Sequence, residues 1–97
     1  MIIKKDTIYF KSEPKLYELE ESGKKSNTLR LMNSDETDRF WEYRNIIKFI
    51  TICEGNIKPV KKFTRTITNV CDVSFIFTKL FYGDTAYLFS WNSEEVW

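Results

Sequence analysis

The sequence predicts an α+β fold, a small and mostly antiparallel β-barrel with two short helices. Three observations predict it. Five segments are rich in β-formers, and several of them alternate polar with apolar residues. Two short stretches each follow a serine suited to capping a helix and carry acidic residues near their starts. The three glycines, Gly23, Gly55 and Gly83, fall between these segments, where turns belong.

Thr7-Ile8-Tyr9-Phe10-Lys11 reads as the first strand. Ser12 is placed to cap a helix whose first turn holds Glu13 and Pro14 and which runs to about Ser22. Leu16 and Leu19 are expected to point inward. Glu13, Glu18, Glu20 and Glu21 are expected to form a solvated face. Gly23 stops the helix. Asn27 to Met32 is a strand with Leu29 and Leu31 on one face and Thr28 and Arg30 on the other, the leucines supplying the apolar side. Ser34 caps a second helix, with Asp35, Glu36 and Asp38 near its positive end and Phe40, Trp41 and Tyr43 as core contacts.

Ile46 to Cys53 is an apolar strand, followed by a turn at Glu54-Gly55-Asn56. Lys61 to Val70 is a long strand with Phe63, Arg65 and Ile67 on one side and Thr64, Thr66 and Thr68 on the other. The Phe63 side is the expected core side, which sets Arg65 among apolar neighbours and requires a partner for it. Phe75 to Phe81 is apolar and could be helix or strand. Gly83-Asp84 is a turn. Ala86 to Trp91 is the last strand, with Tyr87, Phe89 and Trp91 on one face.

Residues 1–97 form one domain, since 97 residues suit a single core and 42% of them are hydrophobic. No apolar stretch approaches the roughly 18 residues that span a bilayer, and the N-terminus lacks a signal-peptide h-region. These features imply a cytoplasmic protein with no membrane partner. Histidine is absent, which removes the commonest general base and metal ligand. Cys53 and Cys71 are not a Cys-x-x-Cys pair, so neither a metal nor another cofactor is expected, and both are read as buried reduced thiols. The net charge is only +1. Residues 55–91 nonetheless carry Lys58, Lys61, Lys62, Arg65 and Lys79 against Asp72 and Asp84, a local excess of +3. A basic face is therefore possible, a wholly basic binder is not.

The most informative segment is Gly23-Lys24-Lys25-Ser26-Asn27-Thr28-Leu29-Arg30. It sets two lysines, a threonine and an arginine just past a glycine turn. Such a cluster can hold a phosphate, a base edge or a polarised carbonyl.

Gly23, Lys25, Thr28 and Arg30 fill a Gly-x-Lys-x-x-[Glu/Thr]-x-Arg pattern, and the chain resembles the ASCH domain family, whose members are PUA-like β-barrels. Phe63-Thr64-Arg65-Thr66-Ile67-Thr68-Asn69-Val70 and the closing Phe89-Ser90-Trp91 are similar to segments of small phage and prophage proteins of this type. Threonine at the sixth position is nearest to members that act as amidohydrolases on N4-acetylcytidine. The resemblance implies a PUA-like barrel and binding of RNA, single-stranded nucleic acid or a nucleotide. In a phage-encoded chain it implies residence in the host cytoplasm.

Three functions follow. In a non-enzymatic binding domain, Lys24, Lys25, Thr28, Arg30 and Arg65 would form the ligand pocket, with Arg30 and Arg65 converging on one anion. In an amidohydrolase, Lys25 and Thr28 would be the catalytic pair. The family's downstream glutamate is missing, because residues 55–92 contain none, and so is the helical insertion that carries it. In a phage-encoded inhibitor, the partner would be a host defence protein.

Overall fold

The computed structural model describes residues 1–55, 61–77 and 84–95, with the backbone alone for 93–95. Asn56, Gly83 and the stretch from residue 78 to 81, parts of three expected features, lie outside these, as do Lys58 and Lys79. The alternating segments become six strands: β1 (Ile2–Lys4), β2 (Thr7–Ser12), β3 (Asn27–Met32), β4 (Phe49–Glu54), β5 (Lys62–Asp72) and β6 (Thr85–Glu95). The helices are α1 (Pro14–Glu21) and α2 (Ser34–Tyr43), and Ser74–Ile76 makes one 3-10 turn.

All six strands join one sheet in the order β1-β2-β4-β5-β6-β3. The β2–β4 pair is parallel and the other four pairs are antiparallel. The sheet is open, where a barrel was expected. β1 and β3 are its edges, and no ladder joins them among the described residues. Two register shifts interrupt the β5–β6 pairing between Arg65 and Asn69, and such irregularities bend a sheet.

The inner row of β6 organises the core. Tyr87, Phe89 and Trp91 are all buried, as their spacing predicts. At one end Phe40 of α2 packs on Tyr87 and Phe89, with ring centroids 5.0 and 5.6 Å apart. At the other end Tyr17 of α1 lies 5.4 Å from Phe63, which lies 6.0 Å from Trp91. The two helices thus cover opposite ends of one aromatic row. Phe10 joins its middle, 5.2 Å from Phe89.

Helix α2 begins with a reciprocal capping box. Asn33 is its N-cap, one residue before the expected Ser34, and its side chain accepts from the Glu36 N–H at 2.9 Å. Of its three expected core contacts only Phe40 is buried, while Trp41 and Tyr43 are exposed. Trp41 instead donates from Nε1 to the Tyr87 hydroxyl at 2.8 Å. Burial pushes that hydroxyl's pKa up, and the Trp41 bond opposes the shift. Trp41→Phe is expected to lower stability by about 1 kcal/mol, the scale of one net hydrogen bond. An unchanged urea midpoint would assign the bond no weight.

Glu13 rather than Ser12 stands at the N-cap position of helix α1, without a side-chain capping bond, and the helix ends one residue before Ser22, with Gly23 at φ 84°. That left-handed turn is open to glycine. The helix buries Tyr17 and Glu20, whereas Leu19 is exposed and Leu16 half-buried. Tyr17 sets this rotation by reaching Phe63.

The expected faces of β3 are inverted. Leu29 and Leu31 are exposed, while Thr28 and Met32 are buried. The register explains it, because Thr28 pairs with Phe89 and Arg30 with Tyr87, both on the inner row of β6. The cysteines also depart from expectation: Cys71 is exposed and Cys53 half-buried. Cys71 pairs with Leu88, and Cys53 with Lys11 and Lys62, on the outer face of the sheet.

Candidate functional site

Three of the five expected site residues belong to one buried polar network. Glu20 of α1 is fully buried, on a helix face expected to be solvated. Its carboxylate accepts from the Ser12 hydroxyl at 2.7 Å and from the Lys25 ammonium at 3.5 Å. Lys25 also donates to the Asn27 carbonyl at 2.7 Å. Arg30 donates from Nη2 to Ser12 Oγ at 2.6 Å, from Nη1 to the Lys11 carbonyl at 2.7 Å, and from Nε to Thr28 Oγ1 at 3.0 Å. Its guanidinium lies 4.8 Å from the centre of the Phe10 ring. Burial pushes the Arg30 pKa down and Glu20 pulls it up, and an arginine remains cationic through such shifts.

The chain Lys25–Glu20–Ser12–Arg30–Thr28 therefore runs from the α1–β3 turn, under the helix and past the end of β2, to β3. Thr28 is 1% exposed and its oxygen already accepts from Arg30. In this arrangement the threonine is not open to a substrate carbonyl.

Arg65 has other partners. Its guanidinium lies 4.7 Å from the Phe63 ring centre and donates to the carbonyls of Thr64 at 3.0 Å and Glu21 at 3.2 Å. The partner this buried arginine requires is thus main-chain carbonyl, including one at the C-terminal end of α1, where the helix dipole favours a cation. No hydrogen bond or ion pair joins Arg65 to the Arg30 network among the described residues.

Lys24 lies apart from both. It is exposed and lines an open groove of about 910 Å³ along α1. Three further lysines, Lys15, Lys61 and Lys62, line the same groove, with Glu18, Glu21 and Glu54 among them. None of the four lysines has an ion pair within 4 Å among the described residues. Arg30 instead reaches a second cleft of about 400 Å³ beside β1, together with Lys4, Tyr9 and Glu36.

The residues that sequence reasoning missed are Ser12, Glu20, Lys15 and Glu54. The signal for Glu20 is its position three residues after Tyr17, on the same helical face. Lys15 and Glu54 carry no such signal, because the groove exists only once α1 lies beside the end of β4 and the start of β5.

Among the described residues no His, Cys, Asp and Glu side chains group as a metal site, and no helix is long and apolar enough to cross a membrane. No protein-family model, curated protein or solved structure matches the chain.

Proposed function

We propose that this chain is a non-enzymatic binding domain for single-stranded nucleic acid or a nucleotide, of the kind its resemblance to PUA-like ASCH domains implies, and that the groove along α1 is where the ligand lies. The observation that carries this reading is the set of four lysines around one groove, free of ion pairs among the described residues. Ammonium groups spaced along a groove match a phosphate backbone. The buried, bonded Thr28 supports binding over N4-acylcytidine-type hydrolysis. In this reading Lys24 contacts phosphate. Lys25, Thr28 and Arg30 hold the α1–β3 turn that presents it, and Arg65 anchors the end of the helix.

Fluorescence titration with short RNA and DNA oligomers tests the reading. Each phosphate contact contributes about −0.7 to the slope of log K against log salt, so two to four contacts weaken binding roughly 7- to 50-fold between about 50 and about 200 mM salt. Lys24→Ala is expected to weaken all oligomers alike and to make the slope shallower by about 0.7. Absence of binding at low salt would overturn the reading.

That negative result would favour a second reading, a chain that docks on a protein, such as a phage product acting on a host protein. Its supporting observation is the exposure of Phe75, Ile76 and Trp41, with Arg44 stacked 4.2 Å from the Trp41 ring centre.

A further inference from the structure

Glu54 is an unusual member of the groove. It is the last residue of β4 and continues the inward face of Ile50 and Ile52. Its backbone is fixed, since its N–H donates to the Lys61 carbonyl at 2.8 Å and the next N–H, of Gly55, donates to the Ser12 carbonyl at 2.9 Å. The residue is 8% exposed, yet it lines the groove. Among the described residues its carboxylate has no hydrogen bond and no ion pair. The Tyr17 hydroxyl lies in the same surroundings. Burial, then the charges of Glu21 and Glu54, push its pKa up.

The Glu54 oxygens reach the groove, where water supplies their donors in the free protein, so a ligand that displaces this water must supply donors in its place. The lysines line the groove without reaching Glu54 as ion pairs, so they are placed to hold phosphates while the carboxylate takes donors from another part of the ligand. Leu19, exposed on the same groove, adds an apolar surface for the face of a ring.

We infer that Glu54 makes this groove selective for guanine, its two carboxylate oxygens accepting from N1–H and the 2-amino group of the base. This rests on the nucleic-acid reading above and names the base. The choice follows from the base edges. Guanine presents two adjacent donors on its Watson–Crick edge, which match the two oxygens of a carboxylate. Adenine and cytosine each set one amino group beside a ring-nitrogen acceptor, which faces a carboxylate unfavourably. Uracil sets one N–H between two carbonyls. Inosine keeps N1–H and lacks the amino group.

The test is fluorescence anisotropy at low salt with three labelled RNA pentamers: all uridine, uridine with one central guanosine, and uridine with one central inosine. A bidentate contact discriminates by about tenfold or more, so the guanosine pentamer is expected to bind at least about tenfold tighter than the all-uridine one, with inosine between them. Glu54→Gln is expected to bring the guanosine and uridine pentamers within about twofold of each other, since its amide turns one acceptor into a donor. Thermal melts confirm that the variant is folded, and the inosine comparison uses the unaltered protein. Equal binding of the three pentamers, with the salt dependence present, overturns the guanine inference alone. A guanosine preference retained in a folded Glu54→Gln does the same. No binding to any pentamer overturns the nucleic-acid reading and this inference with it.

Discussion

Glu20→Ala is expected to destabilise the protein by about 3 kcal/mol, the lower end of the cost of breaking a buried ion pair from one side. The side chain is fully buried and is the acceptor for both Ser12 and Lys25. Its loss leaves the Ser12 hydroxyl without an acceptor beneath α1 and removes a carboxylate whose charge favours the Arg30 cation. The lower end applies because the Lys25 side chain is 34% exposed and can turn to water. For a domain of this size each kcal/mol corresponds to roughly 4–8 °C in Tm, so the shift is readily measured by thermal melting. Glu20→Gln keeps the volume and one acceptor for Ser12, so its cost falls below that of Glu20→Ala. A Glu20→Ala variant within about 1 kcal/mol of the parent in urea unfolding would mean that water replaces the carboxylate without loss.

Glu20 also shows where sequence reasoning stopped. Alternation was sufficient for β3, β5 and β6, and it placed Phe63, Arg65 and Ile67 on the same inward-facing side, whereas β4 was read from an apolar run that began at Ile46, three residues before the strand does. Alternation defines two faces without saying which one turns inward. On β3 the leucines made the wrong face look like the core, because the correct one carries Thr28 and Arg30, and their burial depends on partners from β2 and α1. Helix α1 has only eight residues, so both Leu16 with Leu19 and Tyr17 with Glu20 satisfy helical spacing. The aromatic contact with Phe63, 46 residues away in sequence, decides between them. The octet was legible as a cluster of polar side chains, but its internal division was not. Lys24 faces the groove, whereas Lys25, Thr28 and Arg30 are joined to Glu20 and Ser12, which a linear motif does not register.

Arg30 carries the second large expected effect, because it connects the two sides of an open sheet. It stands on edge strand β3, and its guanidinium reaches the Lys11 carbonyl and the Ser12 hydroxyl at the end of β2. The β1–β2 ladder stops at Tyr9, so the Lys11 carbonyl lies beyond the last rung of β1, and Arg30 donates to it there. Because this side chain, rather than the leucines, occupies the inward side of β3, Arg30→Ala is expected to cost about 2–4 kcal/mol: unsatisfied buried acceptors cost roughly 1–3 kcal/mol each, and water covers the exposed Lys11 bond. Arg30→Lys should recover less than half, since one ammonium cannot reproduce three bonds fixed by a planar fork. Arg30→Met separates packing on Phe10 from charge. A Met variant as stable as the parent would reduce the bridge to apolar contact, since well-packed apolar replacements of buried ions can be neutral. The network also predicts coupling. Glu20→Gln and Arg30→Met share Ser12 as a partner, so their combined loss should be smaller than the sum of the single losses by at least about 0.5 kcal/mol. Strict additivity in urea unfolding would mean that the two side chains act independently and that β3 is held to β2 by Arg30 alone.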